Sequence, residues 1–202
     1  MLRKALALGA DEAVLLCDRA FAGADTLATS MVLSEAISEL AQDEEIAVVL
    51  CGKQTIDGDT AQVGPGIATR LGLSQLTWVD RIESLDLVSR RMRVRRKLEG
   101  RHEIVEAPLP ALITVSREIN RLRYPTVPRR LMAEDATVAL WSNQDLKLGE
   151  ETIGLKGSPT QVRRIFSPER VRGEIVGDGV GDPEASASLL IDKLMERDLL
   201  QL

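Results

Sequence analysis

Aromatic side chains are nearly absent: two Trp, one Tyr and two Phe stand among 202 residues. Proteins that grip single-stranded nucleic acid stack bases on such rings. The net charge is −5 as well, so a polynucleotide partner is not expected. No apolar run is long enough to span a bilayer, so membrane insertion is not expected. The first residues also lack the basic and apolar regions of a secretory signal. Only two cysteines occur, Cys17 and Cys51, far apart and in no CxxC pair; they read as buried, reduced thiols of a cytoplasmic protein. The single histidine, His102, sits beside a hairpin turn with no Ser or Cys nucleophile near it. It reads as a surface residue, and without a second histidine neither a triad nor a zinc site is expected.

What is present supports one large domain, or a domain with an appended arm. Hydrophobic residues make up 44% of the chain, enough for a real core. Met1–Ala10 reads as the tail of a helix, with Leu2 and Leu6 on one face and Gly9 placed to cap its C-terminus. A helix with no strand before it is an odd start for an α/β chain. Ala13–Leu16 is a short apolar run of the kind buried on both sheet faces. Asp25 can cap a helix carrying Leu27, Met31, Ala36, Ile37 and Leu40, and Ile46–Cys51 is a β-branched strand ended by Gly52. Strand, helix and strand in succession predict a βαβ unit with parallel strands. A second helix is expected between Asp59 and Leu71, closed by Gly72, followed by a strand over Gln75–Val79. Leu87–Glu106 alternates, Met92 and Val94 against Arg91, Arg93 and Arg95, and turns at Glu99–Gly100: a hairpin with a solvated arginine face. Ala111–Val115 reads as another buried strand and 117–135 as a long loop. The stretch 167–183, rich in Gly, reads as an extended arm. A last helix is capped by Asp182, with Leu190 and Leu194 inward.

The segment with chemistry in it runs Gly52-Lys53-Gln54-Thr55-Ile56-Asp57-Gly58-Asp59-Thr60-Ala61-Gln62-Val63-Gly64. It leaves the C-terminal end of a parallel strand and enters a helix, the position at which open α/β sheets bind ligands. Gly52, Gly58 and Gly64 let the backbone approach a ligand without a Cβ clash. The amides and positive dipole end of the helix then face an anion. Asp59 and Gln62 fit a capping box, with Gly64 and Pro65 a rival helix start. From the pattern alone the segment is either a phosphate-binding loop or a polar turn capped by Asp59. It is not a Walker A loop, and Gly64-Pro65-Gly66 followed by Ile67-Ala68-Thr69 lacks the last glycine of GxGxxG. Asp57 and Asp59 are better suited to capping amides than to a metal, and Cys51 to packing than to redox chemistry.

The stretch from Gly52 to Gly72 closely resembles the β subunit of electron-transfer flavoproteins. The likeness extends through Leu6–Asp11, Ala22–Thr29, Pro110–Val115, Glu118-Ile119-Asn120 with Arg123-Tyr124-Pro125, and Gly154–Val162. The resemblance implies an α/β fold with an open parallel sheet of the adenine-nucleotide α-hydrolase-like (HUP) type, a β-hairpin insertion and an extended C-terminal arm. It implies a nucleotide-binding domain over 1–145, including a recognition loop at 117–135, and an arm and helix over 146–202 that contact an α subunit. The cofactor site it implies is Gly52, Lys53, Gln54, Asp57, Gly58, Asp59, Thr60, Ala61, Gln62, Val63 and Gly64. In one branch of the family this loop holds AMP. In the electron-bifurcating, nitrogen-fixation-associated branch it holds a second FAD that accepts hydride from NADH. The implied partners are the α subunit with its own FAD, and flavoprotein dehydrogenases docked through Arg123, Tyr124, Val127 and Leu131. A carrier of this kind has no acid–base or nucleophilic catalytic residue of its own.

The AMP branch typically reads Asp-Asp-Asp-Cys-Asn-Gln-Thr where this chain has Asp57 to Val63. Gly58 and Ala61 leave space and free amides for a pyrophosphate, so FAD is the expected ligand and AMP the alternative. The family also begins with a strand, a loop and a helix ahead of the position of Met1. The first sheet strand and part of the adenine pocket are therefore expected to be missing, leaving an apolar sheet edge at Ile46–Cys51 or its neighbour. The recognition segment reads Asn120-Arg121-Leu122-Arg123-Tyr124 in place of Asn-Glu-Pro-Arg-Tyr, and Glu134 and Asp135 stand where a Lys-rich run is usual. Two other readings stay open: an ATP-binding protein of the same sheet type, whose phosphate motif is not present, and a non-functional fragment.

Overall fold

The computed structural model describes residues 1–42, 45–167 and 173–200. They fall into two units, Met1–Gln161 and Val162–Leu202. In chain order the elements are α1 (Leu2–Leu8), β1 (Val14–Leu16), α2 (Thr26–Leu40), β2 (Val48–Gly52), α3 (Val63–Leu71), β3 (Ser74–Asp86), β4 (Arg91–Leu98), β5 (Arg101–Pro108), β6 (Ala111–Val115), α4 (Val127–Asp135), β7 (Ala139–Trp141), α5 (Asn143–Leu146) and α6 (Pro183–Glu196).

The main sheet of the first unit has the order β2-β6-β3-β4-β5. Strands β2, β6 and β3 run parallel, with Val48 and Ser74 both opposite Ala111. Strand β6 lies between β2 and β3: Ala111, Leu112 and Ile113 are fully buried, as its unbroken apolar run requires of a strand covered on both faces. Strand β3 outruns the expected Gln75–Val79 and continues into the antiparallel hairpin, whose turn carries Gly100 at φ 70°. Met92 and Val94 turn inward and Arg91 and Arg93 outward, as their alternation predicts.

Strand β1 departs from expectation twice. Among the described residues it pairs only with β7, in a separate two-stranded parallel sheet, and makes no pairing with β2. Nor is it buried on both faces: Leu15 is 45% exposed, because among the described residues nothing packs over its side. Helix α2, capped by Asp25 as expected, spans both sheets. Val32 and Ala36 pack with Leu16, Phe21 and Trp141, while Leu33 and Ile37 pack toward Leu112, Val49 and Cys51. Its buried stripe therefore follows Ala28, Val32 and Ala36, and Leu27 and Leu40, expected inward, are exposed.

Residues 117–135 are not one long loop, since Val127–Asp135 forms α4 with Pro128 in its first turn. Its large apolar residues face away from the core, so no core-facing period marks it. Helix α1, ended by Gly9 in the left-handed region, packs on α4. Arg3 Nη1 donates to the carbonyls of Ala133, Glu134 and Ala136 at 2.7, 2.6 and 2.9 Å, filling the acceptors left at the end of α4. Cys17 is exposed, not buried, whereas Cys51 packs beneath α3 and burial raises its thiol pKa.

In the second unit Asp182 caps α6 through the Ala185 amide, as expected. No residue of α6 is buried; Leu190, expected inward, is 47% exposed and Leu194 only half-buried. Residues 173–182 form neither helix nor strand, in keeping with an arm, and 168–172 of that expected arm lie outside the described residues.

Asp80 is a buried carboxylate at the root of the hairpin. Arg95 clamps it through Nε at 2.9 Å and Nη2 at 3.1 Å, and His102 Nε2 stands 3.1 Å away, so this half-exposed histidine is paired. The Arg95 bond holds the Asp80 carboxyl below its ordinary range despite the opposing effect of burial. A depressed carboxylate stabilises fully above its unfolded pKa of about 3.9 and loses that contribution as pH falls through the lower folded value. Asp80→Asn is thus expected to lower Tm at neutral pH, with the gap to wild type closing below about pH 4. A gap that stays constant in melts through pH 3 would contradict this assignment.

Candidate functional site

The site grows from the C-terminal ends of the three parallel strands. The Lys53 amide, directly after β2, donates to the Val115 carbonyl at 3.1 Å, which fixes where the chain leaves the sheet. The loop then closes on itself. Asp59 N–H donates to the Thr55 carbonyl at 3.3 Å, Gly58 N–H to Thr55 Oγ1 at 3.4 Å, and Gln54 donates to Asp59. The Thr55 hydroxyl and the Gly58 amide hold the Asp57 carboxyl below its usual range. Asp57 and Asp59 therefore spend their oxygens inside the loop. Among the described residues no group of His, Cys, Asp and Glu is placed to hold a metal ion.

The loop glycines do different jobs. A Cβ on Gly52 would meet nothing within 4 Å, and on Gly58 only Thr55 Oγ1 at 3.5 Å, so both leave open space beside the backbone. The left-handed positions fall on Asp59 at φ 51° and Ala61 at φ 56°, which are not glycines. Gly64 alone of the three is sterically demanded, since its Cβ would lie 2.6 Å from Thr114 Cγ2. That absence of a side chain lets α3 sit on β6.

Neither expected start of α3 is found. Gln62 precedes the helix without capping it, its side chain accepting instead from the Thr26 hydroxyl at 3.0 Å, and Asp59 is engaged by Gln54. The first amides of α3, at Val63 and Gly64, therefore have no side-chain cap, and Pro65 has no N–H to satisfy. The neighbouring start of α2 is filled. Asp25 Oδ1 accepts from Leu27 and Ala28, and Oδ2 takes the amide and hydroxyl of Thr160 at 3.1 and 2.9 Å. Burial pushes the Asp25 carboxyl up, but these donors hold it below its usual range. Of two adjoining helix starts, one already holds a carboxylate and the other is open to an anion.

The structure also joins segments that the sequence leaves far apart. Ser158 Oγ accepts from the Asp25 amide at 2.8 Å, and Gly154, at φ 55°, lies against Ala20, where any Cβ would overlap the carbonyl. The sequence gives no sign of Ser158 and Thr160 as partners of Asp25, because nothing in their local pattern signals contacts across 133 and 135 residues. Nor does it signal Trp78, whose ring lies 3.9 Å beneath the Lys53 ammonium. The residues expected to dock a partner lie on α4 and its lead-in: Tyr124, Val127 and Leu131 are 94, 69 and 57% exposed, while Arg123 donates to the Leu8 carbonyl at 3.1 Å.

Residues 1–146 match the family described as electron transfer flavoprotein domain. The chain is 42% identical over 196 residues to protein FixA of Azotobacter vinelandii, covering 96% of this chain and 70% of that one. It is 50% identical over 171 residues to protein FixA of Azorhizobium caulinodans, covering 83% of this chain and 60% of that one. To the electron transfer flavoprotein subunit beta of Clostridium acetobutylicum it is 42% identical over 194 residues, covering 96% and 71%. The chain thus spans between three fifths and three quarters of the length of these relatives. Among the described residues no helix is long and apolar enough to cross a membrane. With an open α3 start at the ends of a parallel sheet and a family match over most of its length, the chain belongs to the electron transfer flavoprotein domain family.

Proposed function

We propose that this chain is the β subunit of a heterodimeric, cytoplasmic electron-transfer flavoprotein of the bifurcating type, and that its Gly52–Gly64 loop holds the pyrophosphate of FAD. The observation that carries this reading is the uncapped first turn of α3, set beside Lys53 at the carboxyl ends of β2 and β6. The residues fit the group. Gly52 and Gly58 leave the backbone approachable, Lys53 supplies the loop's only cation, and the two aspartates are occupied internally. Gly58 and Ala61 in place of bulkier side chains favour two phosphates over the single phosphate of AMP. The flavin, when bound, supplies the electron-accepting ring. The protein's share is to bind, orient and shield it.

Two surfaces support the partner assignments. Val127 and Leu131 on α4, with Tyr124 on its lead-in, present an exposed, largely apolar face suited to a flavoprotein dehydrogenase. In the second unit Ile165, Phe166, Ile175 and Val180 are 74 to 94% exposed, as expected of an arm that gains its apolar contacts from an α subunit. Co-expression with the α subunit tests the reading through the released cofactors. Two flavins per heterodimer, with flavin absorbance lost on adding NADH, is the expected result. One flavin with one AMP would place the chain in the AMP branch, and a complex without nucleotide in this subunit would overturn the site.

A further inference from the structure

We propose that Trp78 and Lys53 form a resting clamp at the mouth of the loop: the indole face holds the lysine ammonium when no phosphate is present, and a phosphate-bearing nucleotide draws it off the ring. This rests on the reading of the Gly52–Gly64 loop as a nucleotide site. Three observations carry it. First, Lys53 Nζ lies 3.9 Å from the ring centroid, within the range of a cation–π contact.

Second, Trp78 is placed there by a local distortion. Pairing between β3 and β6 slips between Leu76 and Val79, both buried, and Trp78 sits in that irregularity at φ 60°. A bulky residue rarely adopts this conformation, and such bulges re-aim side chains beside functional sites. The indole is left 41% exposed at the carboxyl end of the sheet. Third, Thr114 ties this bulge to the start of α3. Its hydroxyl accepts the Trp78 amide at 3.1 Å, and its methyl is the atom that Gly64 accommodates. The aromatic ring, the lysine and the open helix start are thereby fixed on one frame.

The exchange follows from relative strengths. A half-exposed cation–π contact is weaker than charge-assisted hydrogen bonds from the same ammonium to phosphate oxygens, so the ligand displaces the ring. Lys53 is the only cation between Gly52 and Gly64, so no other side chain of the loop supplies that charge.

Trp78 and Trp141 are the only tryptophans, so a Trp141→Phe chain reports on Trp78 alone. Titrating that chain with AMP should give a saturable change in indole emission with the midpoint found by calorimetry. Lys53→Met should alter the emission of the free chain, weaken AMP about tenfold, and remove the change even at saturating AMP. Lys53→Arg should keep it. Calorimetric binding of AMP with no emission change, or a change that survives in Lys53→Met, would overturn the clamp and leave the loop assignment standing. No calorimetric binding of either AMP or FAD would overturn both.

Discussion

Replacing Gly64 by valine is expected to lower Tm by several degrees and to abolish nucleotide retention in the same step. The Cβ would stand 2.6 Å from Thr114 Cγ2, 3.5 Å from Leu112 Cδ2 and 3.6 Å from Cys51 Cβ. Thr114 and Leu112 belong to the interior strand β6 and are 2 and 0% exposed, so neither side chain has room to move. Overpacking of this kind costs about 1–3 kcal/mol, a substantial part of a typical stability of about 5–15 kcal/mol. The cheapest relief is for α3 to slide off β6, which carries the Val63 and Gly64 amides away from the loop. Gly58→Ala is the control: its Cβ meets only Thr55 Oγ1 at 3.5 Å and its backbone is not left-handed, so stability should be nearly unchanged. The steric demand within the loop thus falls on Gly64, for a reason of packing and not of φ. Thr114→Ser, which removes the methyl but keeps the acceptor for Trp78, should recover part of the loss in a Gly64→Ala background. Urea melts that place Gly64→Val level with wild type would refute the α3–β6 packing described above.

The isolated chain is expected to self-associate through its sheet edges. Strand β2 pairs with β6 on one side only, and β1 with β7 on one side only, so among the described residues each has an unpaired edge. Leu50 on β2 is 64% exposed, and Leu15 and Leu140 on the small sheet are 45 and 65% exposed. Unpaired backbone beside exposed leucines is a template for adding another strand. Light scattering after gel filtration should therefore show oligomers that grow with concentration. Leu50→Lys should reduce them, because a charge on an edge strand disfavours further pairing. A wild-type chain that stays monomeric at high concentration would show that these edges are harmless.

Local chemistry was legible wherever one residue and its near neighbours settle the outcome. Gly9, Gly72 and Gly100 fall at left-handed positions, Asp25 and Asp182 cap helices, and Met92 and Val94 face inward because alternation along a strand leaves them no other side. The position of the 52–64 loop, between the end of β2 and the start of α3, was legible for the same reason, and the family likeness rested on contiguous motifs. Helix α4 was not, because its apolar residues face away from the core and so show no inward period. The separation of β1 from β2 was not, because a βαβ pattern specifies direction but not which strands hydrogen-bond. The open start of α3 depended on Gln54 taking Asp59 and Thr26 taking Gln62. The filled start of α2 depended on Thr160 arriving from far along the chain. The sequence by itself determined the caps, the strand faces and the place of the 52–64 loop, all set within a few residues. Which of those groups remained free for a ligand was decided only in three dimensions, because a hydrogen-bond donor or acceptor is free or spent according to neighbours that tertiary packing brings to it.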